Sequence, residues 1–133
     1  MRPNRAIARP RLWLGLWLLA VAIVWLGCLM PPPPLPPLAD HSDKWQHLAA
    51  YFLLAGSGVQ LWHGRRALWR LGLGLCLMGL AIELAQGLLT ATRQADAGDL
   101  LANTLGVAAG LGLAATPLAR LLQWLQPARP VAR

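Results

Sequence analysis

Apolar residues along this chain fall into long runs, not into the short alternations of a half-buried strand. From Leu12 to Met30 there are 19 residues without a charge. As a helix rising 1.5 Å per residue, such a run is about 28 Å long, close to the ~30 Å hydrocarbon core of a bilayer. A second run, from about Trp45 to Trp62, is interrupted by His47, Tyr51, Ser57 and Gln60. A third, from Leu71 to Thr90, contains Glu83 and Gln86, and a fourth, from Leu100 to about Leu118, contains Asn103. Pro117 lies in the last turn of the fourth, where its missing N–H and its ring make a helix stop or bend. The pattern predicts an all-α polytopic membrane protein with four transmembrane helices in a bundle.

A cleavable signal peptide has an apolar stretch of about 7–15 residues before a small-residue cleavage site. The first run is longer than that and ends at Met30, directly before prolines. Bulky Trp25 fits poorly with a lipoprotein site at Cys28. A retained helix over 12–30 is the better reading. Pro31 to Pro34, with Pro36 and Pro37, form a stiff polyproline spacer. The expected organisation is an N-terminal segment over 1–11, the first span over 12–30, a Pro-rich linker over 31–42, a core of three spans over 43–119 and a tail over 120–133. Leu121, Leu122, Trp124 and Leu125 suit an interfacial turn at the start of that tail.

Composition agrees. The chain is 56% hydrophobic and 13% charged, against about 25% charged in an ordinary soluble domain. That excludes a soluble enzyme of ordinary composition, and the apolar content excludes disorder. The net charge of +7 would suggest nucleic acid if the basic residues shared a face. They do not. Arg2, Arg5, Arg9 and Arg11 precede the first span, Arg65, Arg66 and Arg70 separate the second from the third, and Arg120, Arg129 and Arg133 follow the fourth. Only Lys44 and Arg93 fall on the other side. This is the positive-inside asymmetry, so both termini are expected in the cytoplasm (N-in/C-in) and no nucleic-acid footprint remains. Trp13, Trp62, Trp69 and Trp124 at the cytoplasmic helix ends, with Trp45 at an outer end, suit interfacial belts. Trp17 and Trp25 are lipid-facing or packing residues. Cys28 and Cys76 have no metal-type spacing and form no disulfide framework.

Charged groups inside a membrane cost about 2.5–3.5 kcal/mol each on insertion scales. Here they gather in the outer half. Asp43, His47 and Tyr51 recur at helical spacing and share one face, beside Lys44. Glu83 and Gln86 lie on the third span, Arg93, Asp96 and Asp99 in the outer loop, and Asn103 on the same face as Asp99. A water-accessible polar pocket opening to the extracytoplasmic side accounts for all of them. Taken singly, Asp43 and Lys44 suit a loop or helix cap, Asp99 a cap of the fourth helix, and His47 and Tyr51 interhelical hydrogen bonds. Glu83 is the exception, since an intramembrane carboxylate is a functional-site candidate by default, with Arg93 or His47 as its expected partner. Arg93 is expected to fix the loop through Glu83 or Asp99 and to offer its planar fork to an anion. Gly106 and Gly110 form a G-x-x-x-G that lets a neighbouring helix approach closely.

Asp43-Lys44-x-x-His47-x-x-x-Tyr51 resembles the opening motif of the VanZ-like family of small integral membrane proteins. Glu83-x-x-Gln86 followed by Arg93-x-x-Asp96-x-x-Asp99-x-x-x-Asn103-x-x-Gly106 resembles that family's second half. Thr90-Ala91-Thr92 departs from it, since the family often carries a proline and a glycine there. The resemblance covers about residues 40 to 115 and makes 43–119 a VanZ-like core. It implies a multi-pass protein of the bacterial cytoplasmic membrane. Through the family's namesake, it also implies a link to low-level resistance to the glycopeptide teicoplanin. It implies no reaction.

Function classes remain open at this stage. The pocket suits an anionic lipid or a lipid-linked cell-envelope component, held by Lys44, His47 and Arg93. The carboxylates would hold a divalent cation bridging to phosphate. An intramembrane enzyme would use His47 with Asp43 or Glu83 for acid–base work. A structural or partner-stabilising subunit would use the same residues for helix packing. Nothing calls for a cofactor. Catalytic residues, a metal and the oligomeric state stay undetermined.

Overall fold

The computed structural model describes residues 7–31, 42–90 and 95–126. Among them every regular element is helical: α1 over Pro10–Leu29, α2 over Ser42–Leu61, α3 over Arg65–Leu89, α4 over Ala97–Gly112 and a short α5 over Leu121–Trp124, with 3-10 turns at Leu113–Ala115 and Pro117–Arg120. The Pro-rich linker falls almost wholly outside the described residues, as does Arg93.

Among the described residues three helices are long and apolar enough to cross a membrane: α1, α3, and α4 with its following turn, over Ala97–Ala115. None of the apolar window of α1 is buried within the protein. Its Leu12, Leu16, Leu19, Ile23 and Leu26 all stand exposed. Water would not tolerate a leucine surface of that length, whereas acyl chains cover it at no cost. α2 has the length of a span, 20 residues, but is not apolar enough to rank with the other three. Its polar side chains are the reason; α1, α3 and α4 all touch it, α4 most extensively.

Element ends differ from the sequence expectation where local chemistry moves them. α3 starts at Arg65, not Leu71, because Gly64 reverses the chain directly after α2 at φ 91°, a conformation that suits glycine. α4 starts at Ala97, not Leu100. Its N-cap is Asp96, whose side chain accepts from the Gly98 N–H, so Asp99 is not the cap but a first-turn residue, where a carboxylate suits the positive helix end. Helical structure breaks at Thr116, just before Pro117, and resumes as a 3-10 turn.

The α2–α4 contact organises the bundle. A Cβ added at Gly106 would collide with the Leu48 carbonyl oxygen and meet the Phe52 nitrogen at 3.0 Å. One at Gly110 would meet the Phe52 oxygen at 2.6 Å and the Gly56 nitrogen at 2.9 Å. These neighbours are backbone and have no rotamer by which to yield. α1 is tied on from outside. The Trp17 indole N–H donates to the Leu54 carbonyl at 2.9 Å, and its ring meets Trp62 edge-on with centroids 5.0 Å apart. Trp62 is therefore a buried packing residue and not an interfacial anchor. Trp45, Trp69 and Trp124 are exposed. At the far end Gln60 fastens the tail, donating to the Leu118 carbonyl at 2.8 Å and accepting from the Leu122 N–H at 3.1 Å.

Gly106→Ala should therefore destabilise the protein by about 1–3 kcal/mol, the usual cost of overpacking. Gly74→Ala, on open space in α3, should be neutral or gain up to about 1 kcal/mol of helix propensity. Thermal unfolding of both variants in the same detergent checks the contrast; equal midpoints would remove the close contact from the account.

Candidate functional site

The ends of α1 to α4 that meet beside the polar residues alternate in direction: the C-terminus of α1, the N-terminus of α2, the C-terminus of α3 and the N-terminus of α4. At this end lie the buried polar side chains His47, Glu83, Gln86, Asp99 and Asn103. Each of these helices except α1 supplies at least one. A short-spaced apolar face on α4 continues below them through Gly106 and Gly110, so the close glycine contact sets the separation of the polar residues above it.

The interactions form a chain. His47 Nδ1 lies 3.0 Å from Asn103 Oδ1. An amide oxygen only accepts, so Nδ1 is the donor in this pair. Nε2 faces Asp99 Oδ2 at 3.7 Å. Asp99 Oδ1 accepts from the Lys44 ammonium at 3.2 Å, and Lys44 also pairs with Asp96. Gly98 leaves room for this crossing, since a Cβ there would lie 2.9 Å from the Lys44 Nζ. Glu83 Oε2 accepts from the Asp96 backbone N–H at 3.0 Å. This main-chain donor is the partner of Glu83 among the described residues; of the two expected side-chain partners, His47 makes no hydrogen bond to it among them and Arg93 lies outside them. One potential ligand atom from each of His47, Glu83 and Asp99 lies within 4.8 Å of the other two.

Several polar atoms here have no hydrogen-bond partner although they are buried: Tyr51 Oη, Glu83 Oε1, Gln86 Oε1 and Asn103 Nδ2. Each such atom costs about 1–3 kcal/mol if left so. Tyr51 Oη and Asn103 Nδ2 approach each other around Gly79, where an added Cβ would sit 3.3 Å and 3.1 Å from them. Asp43, His47 and Tyr51 line one cleft of about 210 Å³ together with Gln46 and Ala50 of α2 and Val24, Gly27 and Cys28 of α1. The cleft gives the cluster an opening between α1 and α2. Asp43 is exposed at this cleft.

Residues the sequence did not place at this site are Gly79, Gly98, Gln46 and Cys28. For Cys28 a signal was present. In a helix its carbonyl would pair with the N–H of residue 32, and Pro31 to Pro34 have none. Gln86 Nε2 supplies a donor at 2.8 Å, which ties α1 to α3 beside the cluster. Comparison with protein-family models, with curated proteins and with solved structures returns no match.

Gln86→Met keeps the volume and removes the donor to Cys28. It should lower stability by about 0.5–1.5 kcal/mol, the usual net worth of one hydrogen bond, and should loosen α1 from α3. Protease accessibility of the α1 end, measured with thermal unfolding, checks both effects.

Proposed function

We propose that this chain is a VanZ-like, multi-pass protein of the bacterial cytoplasmic membrane, with four spans and both termini in the cytoplasm, whose extracytoplasmic pocket binds an anionic lipid or a lipid-linked cell-envelope component. One observation carries the reading: buried polar side chains with unpaired atoms gather at one end of a bundle whose outer surface is largely leucine, and a cleft reaches them from the side. That cleft has apolar walls at Val24, Gly27 and Ala50 and polar groups at Asp43, Gln46, His47 and Tyr51. An amphiphile with a polar head suits such a lining, and intramembrane ionisable groups generally mark a ligand path.

α2 serves as the fourth span in this proposal. At 1.5 Å per residue its length is about 30 Å, and neighbours on several sides shield its polar face from lipid. The basic asymmetry supports the orientation. Lys44 and Arg93 are the basic residues that the sequence places on the outer side, where a phosphate would meet positive charge. The envelope link and any part in teicoplanin tolerance rest on the resemblance of the Asp43–Tyr51 and Glu83–Gly106 motifs alone.

Reporter fusions after Leu38 and after Ala95 should read extracytoplasmic, and one after Gly64 cytoplasmic; a cytoplasmic reading after Leu38 would sink the topology. Native mass spectrometry of protein exchanged into mixed phosphatidylglycerol and phosphatidylcholine should show preferential retention of the anionic lipid. His47→Ala should cut that preference about tenfold, equivalent to 1.4 kcal/mol. Equal retention of both lipids by the unaltered protein would favour a structural subunit instead.

A further inference from the structure

His47, Glu83 and Asp99 come from three different helices and share one property. Each is anchored through one atom and presents another. His47 is held at Nδ1 by Asn103 and presents Nε2. Glu83 is held at Oε2 by the Asp96 N–H and presents Oε1, which is buried and has no hydrogen-bond partner. Asp99 is held at Oδ1 by Lys44 and presents Oδ2, which faces the imidazole at 3.7 Å. All three residues are at most 7% exposed.

From this geometry we infer that His47, Glu83 and Asp99 form a site for one divalent transition-metal ion, with Zn²⁺ preferred. Potential ligand atoms of the three lie within 4.8 Å of one another. Zinc bonds of about 2.0–2.2 Å in a tetrahedron set ligand separations of about 3.4 Å. The His47–Asp99 separation is already near that value, and the others, at most 4.8 Å, would have to shorten by little more than 1 Å. A neutral imidazole and two carboxylates as ligands would bring two negative charges to the ion, which a divalent cation balances.

The ligand set selects among ions. Three protein ligands, an imidazole nitrogen among them, with a fourth position open, is the arrangement of zinc sites that admit a further ligand. Ca²⁺ takes six to eight oxygen ligands, and Mg²⁺ demands octahedral geometry and sheds its water reluctantly. Among first-row ions the affinity order places Zn²⁺ above Mn²⁺. Asn103 completes the arrangement, since a metal-binding histidine characteristically donates its other N–H to a fixed acceptor. Because His47 also lines the cleft between α1 and α2, the open position has a way in for water or for a phosphate oxygen. Only that last step rests on the lipid-binding reading; the ion site stands without it.

The test uses the full chain in detergent, stripped with a chelator and dialysed against Zn²⁺, with metal counted by mass spectrometry. One ion per chain is expected. His47→Ala and Glu83→Gln should each weaken binding at least tenfold, and Asn103→Leu by about 10–100-fold. His63→Ala, which removes an exposed histidine outside the cluster, should leave binding unchanged. Should the site variants fail to fold, Co²⁺ titration of the unaltered protein decides: strong visible absorption of a four-coordinate ion supports the site, and the weak spectrum of aqueous Co²⁺ overturns it. Absence of Zn²⁺ from folded protein, or equal binding by the site variants, also overturns it. Lipid retention measured with and without Zn²⁺ separates the two proposals. Zinc bound with retention indifferent to it keeps the ion site and removes the bridge to phosphate. Selective lipid retention without any zinc binding removes the ion site and keeps the lipid reading.

Discussion

The backbone of α4 rests on the backbone of α2 because Gly106 and Gly110 have no side chain to hold them apart. In a bilayer, apolar side chains gain nothing by leaving lipid for protein, so helices associate through close packing and shared hydrogen bonds. Those glycines supply the packing. Above them on the same face, Asn103 and Asp99 are brought against His47 and Lys44. A wider α2–α4 separation would break the imidazole–amide bond and leave both partners buried without one. The polar cluster and the glycine contact are thus one interface, with the lower half holding the separation that the upper half uses.

The cluster is expensive, and its own geometry offsets part of that cost. Lys44 sits between Asp96 and Asp99, while the Asp96 main chain satisfies one oxygen of Glu83. Asp96 therefore acts as helix cap, ion-pair partner and hydrogen-bond donor at once. What these interactions leave over is concentrated: Glu83 Oε1, Gln86 Oε1, Asn103 Nδ2 and Tyr51 Oη lie in the same region without partners. A protein selected only for helix packing would gain by pairing or removing such atoms. Their retention beside an open cleft is the physical basis for treating this end of the bundle as a ligand site.

α1 plays a different part. It contributes no buried residue of its own, yet it forms one wall of the cleft and is held at few points: by Gln86 of α3 at one end and, nearer the other, by its own Trp17 against Leu54 and Trp62 of the α2 end. An outer helix tied at few points can shift more readily than one locked by backbone contact. Access to the cluster is accordingly placed at the α1–α2 seam and not at the α2–α4 seam.

The sequence by itself determined the helical class, the spans over α1, α3 and α4, and the membership of most of the cluster, because span length and the cost of intramembrane polar groups are properties of single segments. The glycine pair was legible for the same reason, since a small-residue spacing identifies its own face. Only the tertiary structure decided the partners. Glu83 meets the Asp96 main chain, Asp96 and not Asp99 caps α4, Trp62 packs inside against Trp17, and Gln86 reaches Cys28. Each depends on the separation and rotation of two helices far apart in the chain, which the periodicity of either helix alone leaves free. Even the Cys28 carbonyl, whose need for a donor is written in the prolines that follow it, could be matched to Gln86 only once α1 and α3 stood side by side.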